Sequence, residues 1–134
     1  MKIIAFLSII LFSYSVLAQT PEEVVQNQFD AFNDRDIETF AAAYSDEVKV
    51  YNEKGDLDYE GKDILKSNYN FMFEQKPNLR VELLARIVEG EVIVEHRDVF
   101  FADGFDIKEI VVYTVKDGKI AELRFLNRNQ RGGE

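Results

Sequence analysis

Residues 79–126 read LRVELLARIVEGEVIVEHRDVFFADGFDIKEIVVYTVKDGKIAELRFL, and the alternation within this stretch decides the fold. Val, Ile, Leu, Tyr and Phe recur between charged residues over 79–88, 91–101, 106–116 and 119–126, the two-residue period of half-buried strands. Glu89-Gly90, Asp103-Gly104 and Asp117-Gly118 separate these runs. An acidic residue followed by glycine suits a tight hairpin, where φ turns positive. Three successive hairpins predict an antiparallel four-strand meander.

Upstream the period changes to 3.6. Thr20-Pro21-Glu22-Glu23 opens a helix, with Thr20 as cap, Pro21 at the position that needs no N–H partner and Glu23 closing a capping box. Val24, Val25, Gln28, Phe29 and Phe32 fall on one stripe, which predicts a helix over 21–34. Asp36 opens a second, with Ile37, Phe40, Ala41 and Tyr44 on its apolar face and Glu38 in its first turn. Val48 and Val50 alternate with Lys49 and Tyr51 as a short strand, and Asn52 to Gly61 reads as a loop. A third helix is expected from Lys62 to Gln75, with Ile64, Leu65, Phe71 and Met72 along its face and Pro77 as its stop. Helices first and long strands last define an α+β domain, its helices packed on one face of a curved sheet. The polar tail from Asn127 is expected to fray.

The full chain has 134 residues, sixteen Lys plus Arg against twenty-five Asp plus Glu, one His and no Cys. Residues 1–18 carry Lys2 as their only charge, then an apolar run from Ile3 to Leu11, then Val16-Leu17-Ala18, the pattern of a cleavable export signal. The expected organisation is a signal over 1–18 and one domain over 19–134 with its core at 22–127, in a periplasmic or secreted location. Removing eighteen residues and their single lysine leaves 116 and takes the net charge from −9 to −10. So acidic a domain is a poor partner for nucleic acid, whose phosphates require Lys and Arg, and no membrane association is expected after cleavage. Without cysteine there is no disulfide, and one histidine argues against a zinc site. Neither metal nor cofactor is expected.

Two helices, a strand, a third helix and a meander resemble the nuclear-transport-factor-2-like superfamily, which includes SnoaL-like polyketide cyclases and ketosteroid isomerases. AFNDRDIETFAAAYSDEVKVYNE (31–53) is similar to its second helix, turn and first strand, and VVYTVKDGKIAELRFLN (111–127) to its final hairpin. The resemblance implies a cone-shaped roll, three N-terminal helices on a strongly curved, mainly antiparallel sheet, with a ligand pocket inside. It specifies chemistry weakly, because the superfamily mixes enzymes and binding modules. At the positions of the isomerases' base, oxyanion tyrosine and protonated aspartate this chain has Asn52, Gln28 and Val111. An amide cannot abstract a proton and valine cannot donate a hydrogen bond, so steroid isomerisation is not expected.

If Asn52 and Val111 point into the cone, so do Glu109 and Tyr113. Turning Val92, Val94 and Phe100 toward the helices brings His96 and Asp98 inward as well, a histidine with a carboxylate to orient it. His96, Asp98 and Tyr113 are therefore the catalytic candidates, and Gln28, Asn52, Glu109 and Val111 the ligand-binding ones. The alternative is that His96 and Asp98 form a structural polar cluster with Arg97, Glu109 or Tyr113, or sit at the open rim in solvent. On the opposite face Leu84, Ile93, Val99, Phe101, Ile110 and Val112 form an apolar patch rimmed by charge, which predicts a homodimer through Leu84, Val99, Phe101, Ile110 and Val112.

Three functions remain open on sequence alone. The first is an exported domain that binds a small, partly apolar ligand; the second is a metal-independent acid–base enzyme, a lyase, isomerase or hydrolase using His96 and Asp98. The third is a non-catalytic dimeric interaction module, its pocket filled by Phe29, Phe32, Phe40, Phe71 and Phe73. Cavity volume separates the third from the others: an empty pocket below a few hundred Å³ favours the module, since ligand sites usually span about 300–1,000 Å³.

Overall fold

A computed structural model describes residues 17–101 and 105–131, with side chains through Asn129. The expected export signal, apart from Leu17 and Ala18, lies outside the described residues, as does the turn expected at Asp103-Gly104. The chain runs α1 (Pro21–Asp34), α2 (Ile37–Ala42), β1 (Tyr44–Tyr51), β2 (Leu57–Glu60), α3 (Lys62–Gln75) and β3 (Arg80–Glu89). It then completes the meander with β4 (Val92–Phe100), β5 (Asp106–Lys116) and β6 (Lys119–Arg131). The three helices pack on a six-strand mixed sheet ordered β2-β1-β6-β5-β4-β3, in which only β1 and β6 run parallel.

The capping box forms as the sequence predicts. Thr20 Oγ1 accepts from the Glu23 N–H and Glu23 Oε2 accepts from the Thr20 N–H, each at 3.2 Å. At the far end Arg35 takes the left-handed conformation and donates from Nη2 to the Leu79 carbonyl at 2.8 Å, tying α1 to the start of the meander. Asp36 caps α2 through both carboxylate oxygens, accepting from the Thr39 N–H and hydroxyl. Helix α2 ends sooner than its apolar spacing suggests, and Tyr44 begins β1 instead. The reason is tertiary: Lys119 Nζ and the Ile120 N–H donate to the carbonyls of Ala42 and Ala43, and Tyr44 pairs with Ile120.

The segment expected as a loop after β1 contains β2. Asn52 Oδ1 accepts from the N–H groups of Lys54 and Asp56, and Gly55 adopts a positive φ of 85°, closing a turn that lays Tyr59 beside Val50. Four residues with two apolar positions are too short a run to announce a strand by period. The first meander turn is Gly90-Glu91, one residue later than expected, since Glu89 pairs with Val92. Asp117-Gly118 turns where expected, with both residues at positive φ, and β6 continues through the predicted tail to Arg131.

The core lies between helices and sheet. Val24, Val25, Phe40 and Leu65 from the helices meet Val48, Ile93, Val111, Ile120 and Leu123 from the sheet, all fully or almost fully buried. Each such side chain contributes about 1.5–3 kcal/mol by leaving water. Helix α3 is rotated from its expected orientation: Leu65 and Phe73 are buried with Tyr69 and Met72 against them, while Ile64 and Phe71 face outward. Among the described residues no helix is long and apolar enough to cross a membrane.

Candidate functional site

The β4–β5 register fixes what faces the helices. Arg97 pairs with Glu109, Glu95 with Val111 and Ile93 with Tyr113, while His96 pairs with Ile110 and Asp98 with Lys108. Residues opposite each other in a ladder share a face. Glu109, Val111 and Tyr113 point inward, as expected of β5, and all three are buried. Strand β4 has the opposite parity to that expected: Ile93, Glu95, Arg97 and Val99 turn inward and Val92, Val94, His96, Asp98 and Phe100 outward.

A two-residue turn at Asp103-Gly104 would set Asp98 opposite Glu109 and bring His96 inside. The ladder instead closes with Phe100 opposite Asp106, a one-residue change that reverses every side chain of β4. Charge favours the observed register. It opposes Arg97 to Glu109 and Asp98 to Lys108, whose Nζ lies 3.9 Å from Asp98 Oδ1, where the shorter turn would oppose two carboxylates. His96 and Asp98 thus sit across the sheet from the cone, and the dyad expected inside it does not form there.

What the register assembles inside is an alternating chain of charge. Arg86 donates from Nε and Nη2 to Glu95 Oε2 at 3.0 and 2.7 Å; Arg97 Nη1 lies 3.8 Å from Glu95 Oε1. Arg97 donates from Nε to Glu109 Oε1 at 2.8 Å, with Nη2 at 2.7 Å, and Arg128 Nε donates to Glu109 Oε2 at 3.0 Å. Tyr113 extends the network, its hydroxyl accepting from Arg97 Nη1 at 2.6 Å and from Gln28 Nε2 at 3.2 Å. The Tyr44 hydroxyl in turn donates to Gln28 Oε1 at 3.1 Å.

Burial drives the Tyr113 and Tyr44 phenols far above their ordinary range, so both stay neutral. For Arg97 burial works against the charge, but Tyr113, Glu109, Tyr69 and Glu95 outweigh it and the guanidinium is held more firmly protonated than usual. Tyr113 is therefore a fixed neutral hydrogen-bonding partner in this network.

Above the network lies a cavity of about 150 Å³, or about 600 Å³ with the open space at its mouth. Phe29, Phe32, Tyr69 and Met72 form its helical wall, and Val81, Val99, Phe101, Ile107 and Phe125 its sheet wall. Its polar lining is Gln28, Arg97, Glu109 and Arg128. Phe40 and Phe73 stack around Phe32 in the core behind it, and exposed Phe71 takes no part. Two aromatics expected to fill the pocket, Phe29 and Phe32, are walls of a space that remains open. Val99 and Phe101, expected on the dimer face, line the cavity instead, and Ile93 is buried in the core.

Residues 25–123 match the SnoaL-like domain family. The chain belongs to that family. No curated protein matches it in sequence. Among solved structures, an uncharacterised cystatin-fold protein from Novosphingobium aromaticivorans superposes with a TM-score of 0.74 at 21% identity, over 81% of this chain and 99% of that one. An NTF2-like protein of unknown function from Cytophaga hutchinsonii gives 0.70 at 15%, over 82% and 90%. An LEH-like epoxide hydrolase from M. tuberculosis gives 0.64 at 17%, over 78% and 80%. At these identities the likeness is one of fold.

This SnoaL-like domain uses the three isomerase-aligned positions structurally or as pocket wall. Asn52 is spent on the β1–β2 turn, its Oδ1 engaged by two backbone N–H groups; Val111 is core, and Gln28 lines the cavity with its amide held by two tyrosines. Of the expected ligand-binding residues, the cavity brings together Gln28 and Glu109 and excludes Asn52 and Val111 from its lining. Arg97 and Arg128 were missed. Their signal was charge complementarity to Glu109 across the two hairpins, legible only once register is known. Among the described residues no group of His, Asp and Glu is arranged to hold a metal ion.

Proposed function

We propose that this is an exported SnoaL-like domain that binds a small, partly apolar molecule in its cone. The observation that carries the reading is an open cavity with an aromatic chamber and one polar end, the usual construction of a small-ligand site. The enclosed volume of about 150 Å³ lies on the side that favours the interaction module by volume alone; the open mouth and unfilled chamber favour a ligand, whose buried part is limited to about one aromatic ring. Glu109, the carboxylate that would serve as a base there, has each oxygen taken by an arginine nitrogen, which favours binding over proton abstraction. Export rests on residues 1–18, and N-terminal sequencing of secreted protein starting at Gln19 checks it.

The outer sheet face supports a homodimer. Ile87 and Val92 are exposed there beside Val94, Ile110 and Val112, with Leu84 exposed at the bulge of β3, an apolar surface that a second copy would cover.

The ligand reading is tested by NMR titration with p-cresol, a neutral one-ring probe. Shifts are expected at cavity residues in the native chain and in His96→Gln. Val99→Trp, which fills the chamber, abolishes them while retaining the fold. Absence of shifts in the native chain at millimolar probe overturns the reading.

A further inference from the structure

Among the described residues, Arg128 is the one member of the charge chain whose guanidinium is only partly used. It lines the cavity, yet its side chain stays 37% exposed, which places it at the mouth. Its Nε is fixed on Glu109 Oε2, and its guanidinium carbon lies 3.5 Å from the Phe125 ring centroid. One edge is thus anchored and one face stacked. No hydrogen bond among the described residues engages Nη1 or Nη2. Arg97, by contrast, spends Nε and Nη2 on Glu109 and Nη1 on Tyr113.

The charge balance points the same way. Among the charged groups that line the cavity, Arg97 and Arg128 face Glu109, two guanidiniums against one carboxylate in a chain of net charge −9, while Arg86 with its partners Glu22 and Glu95 lies outside the lining. A guanidinium oriented at one edge and open at its fork is complementary to a planar, bidentate monoanion. Neighbouring apolar walls admit a body of about one ring.

We infer that the ligand is a small aromatic or alicyclic carboxylate, its ring in the chamber and its carboxylate on the free fork of Arg128. This rests on the reading that the cavity binds a ligand and adds its chemical class. Charge-assisted pairing at so exposed a site favours the acid over its neutral isostere by about tenfold.

Phenylacetate and phenylacetamide, alike in shape and different in charge, separate the two claims. Calorimetric or NMR titration of the full mature chain should show phenylacetate binding about tenfold more tightly. Arg128→Gln should bring the two affinities together while the amide still binds. Arg124→Gln, which removes a positive charge stacked on Tyr51 away from the cavity, should preserve the preference. Equal affinities in the native chain, or a preference that survives Arg128→Gln, overturn the carboxylate assignment and leave the cavity reading intact. Failure of both probes to bind overturns both.

Discussion

Arg97 and Glu109 face each other directly across the β4–β5 ladder, buried, with Arg97 Nε donating to Glu109 Oε1 at 2.8 Å. This pair sets the register that separates cavity face from outer face, and it forms the cavity's polar end. Its charges are affordable inside because each finds further partners, Tyr113 for Arg97 and Arg128 for Glu109.

Removing one member of such a pair leaves the other charge uncompensated. Arg97→Met is expected to cost about 3 kcal/mol, and Arg97→Met with Glu109→Gln less than the sum of the singles by about 2 kcal/mol. Urea unfolding of the four proteins measures this coupling, and additive losses would contradict the role given to the pair.

Tyr113 and Tyr44 make stability sensitive to alkali. Both phenols have folded-state values raised above the ordinary 10.0, chiefly by burial. Their contribution is therefore complete below pH 10 and declines as pH rises further, because the unfolded chain releases phenolic protons that the native chain retains. Tyrosinate absorbance from these residues should appear together with loss of circular dichroism, and Tyr113→Phe should flatten the decline. The same variant deprives Arg97 and Gln28 of an acceptor and should cost about 1–2 kcal/mol at neutral pH.

The outer face yields a separate expectation. Ile87 is 65% exposed and pairs with Val94, which in turn pairs with Val112. Ile87→Lys or Val112→Lys should convert a dimer to a monomer in light scattering at micromolar concentration without changing p-cresol affinity. A native chain that is already monomeric removes this interface.

Helices α1 and α3 and the meander strands were legible from local rules, because caps, a 3.6-residue stripe and acidic-glycine turns act within a few residues. Even β5 parity was legible, since its aligned Val111 sits in an unbroken inward series with Glu109 and Tyr113. Strand β4 was not. Val92, Val94 and Phe100 on one face weigh the same as Ile93, Val99 and Phe101 on the other, so apolar content could not choose between them.

By itself, then, the sequence determined the order and type of the main elements, the α+β class and the acidity of the chain, all properties of short windows or of composition. Tertiary structure decided which side of the sheet each β4 residue occupies, and hence whether His96 or Arg97 meets the cavity. The reason is register: strand side chains alternate with period two, and one residue of hairpin length exchanges the faces. Only the pairing of Arg97 with Glu109 and of Asp98 with Lys108, residues distant in sequence, fixes that length and with it the chemistry of the site.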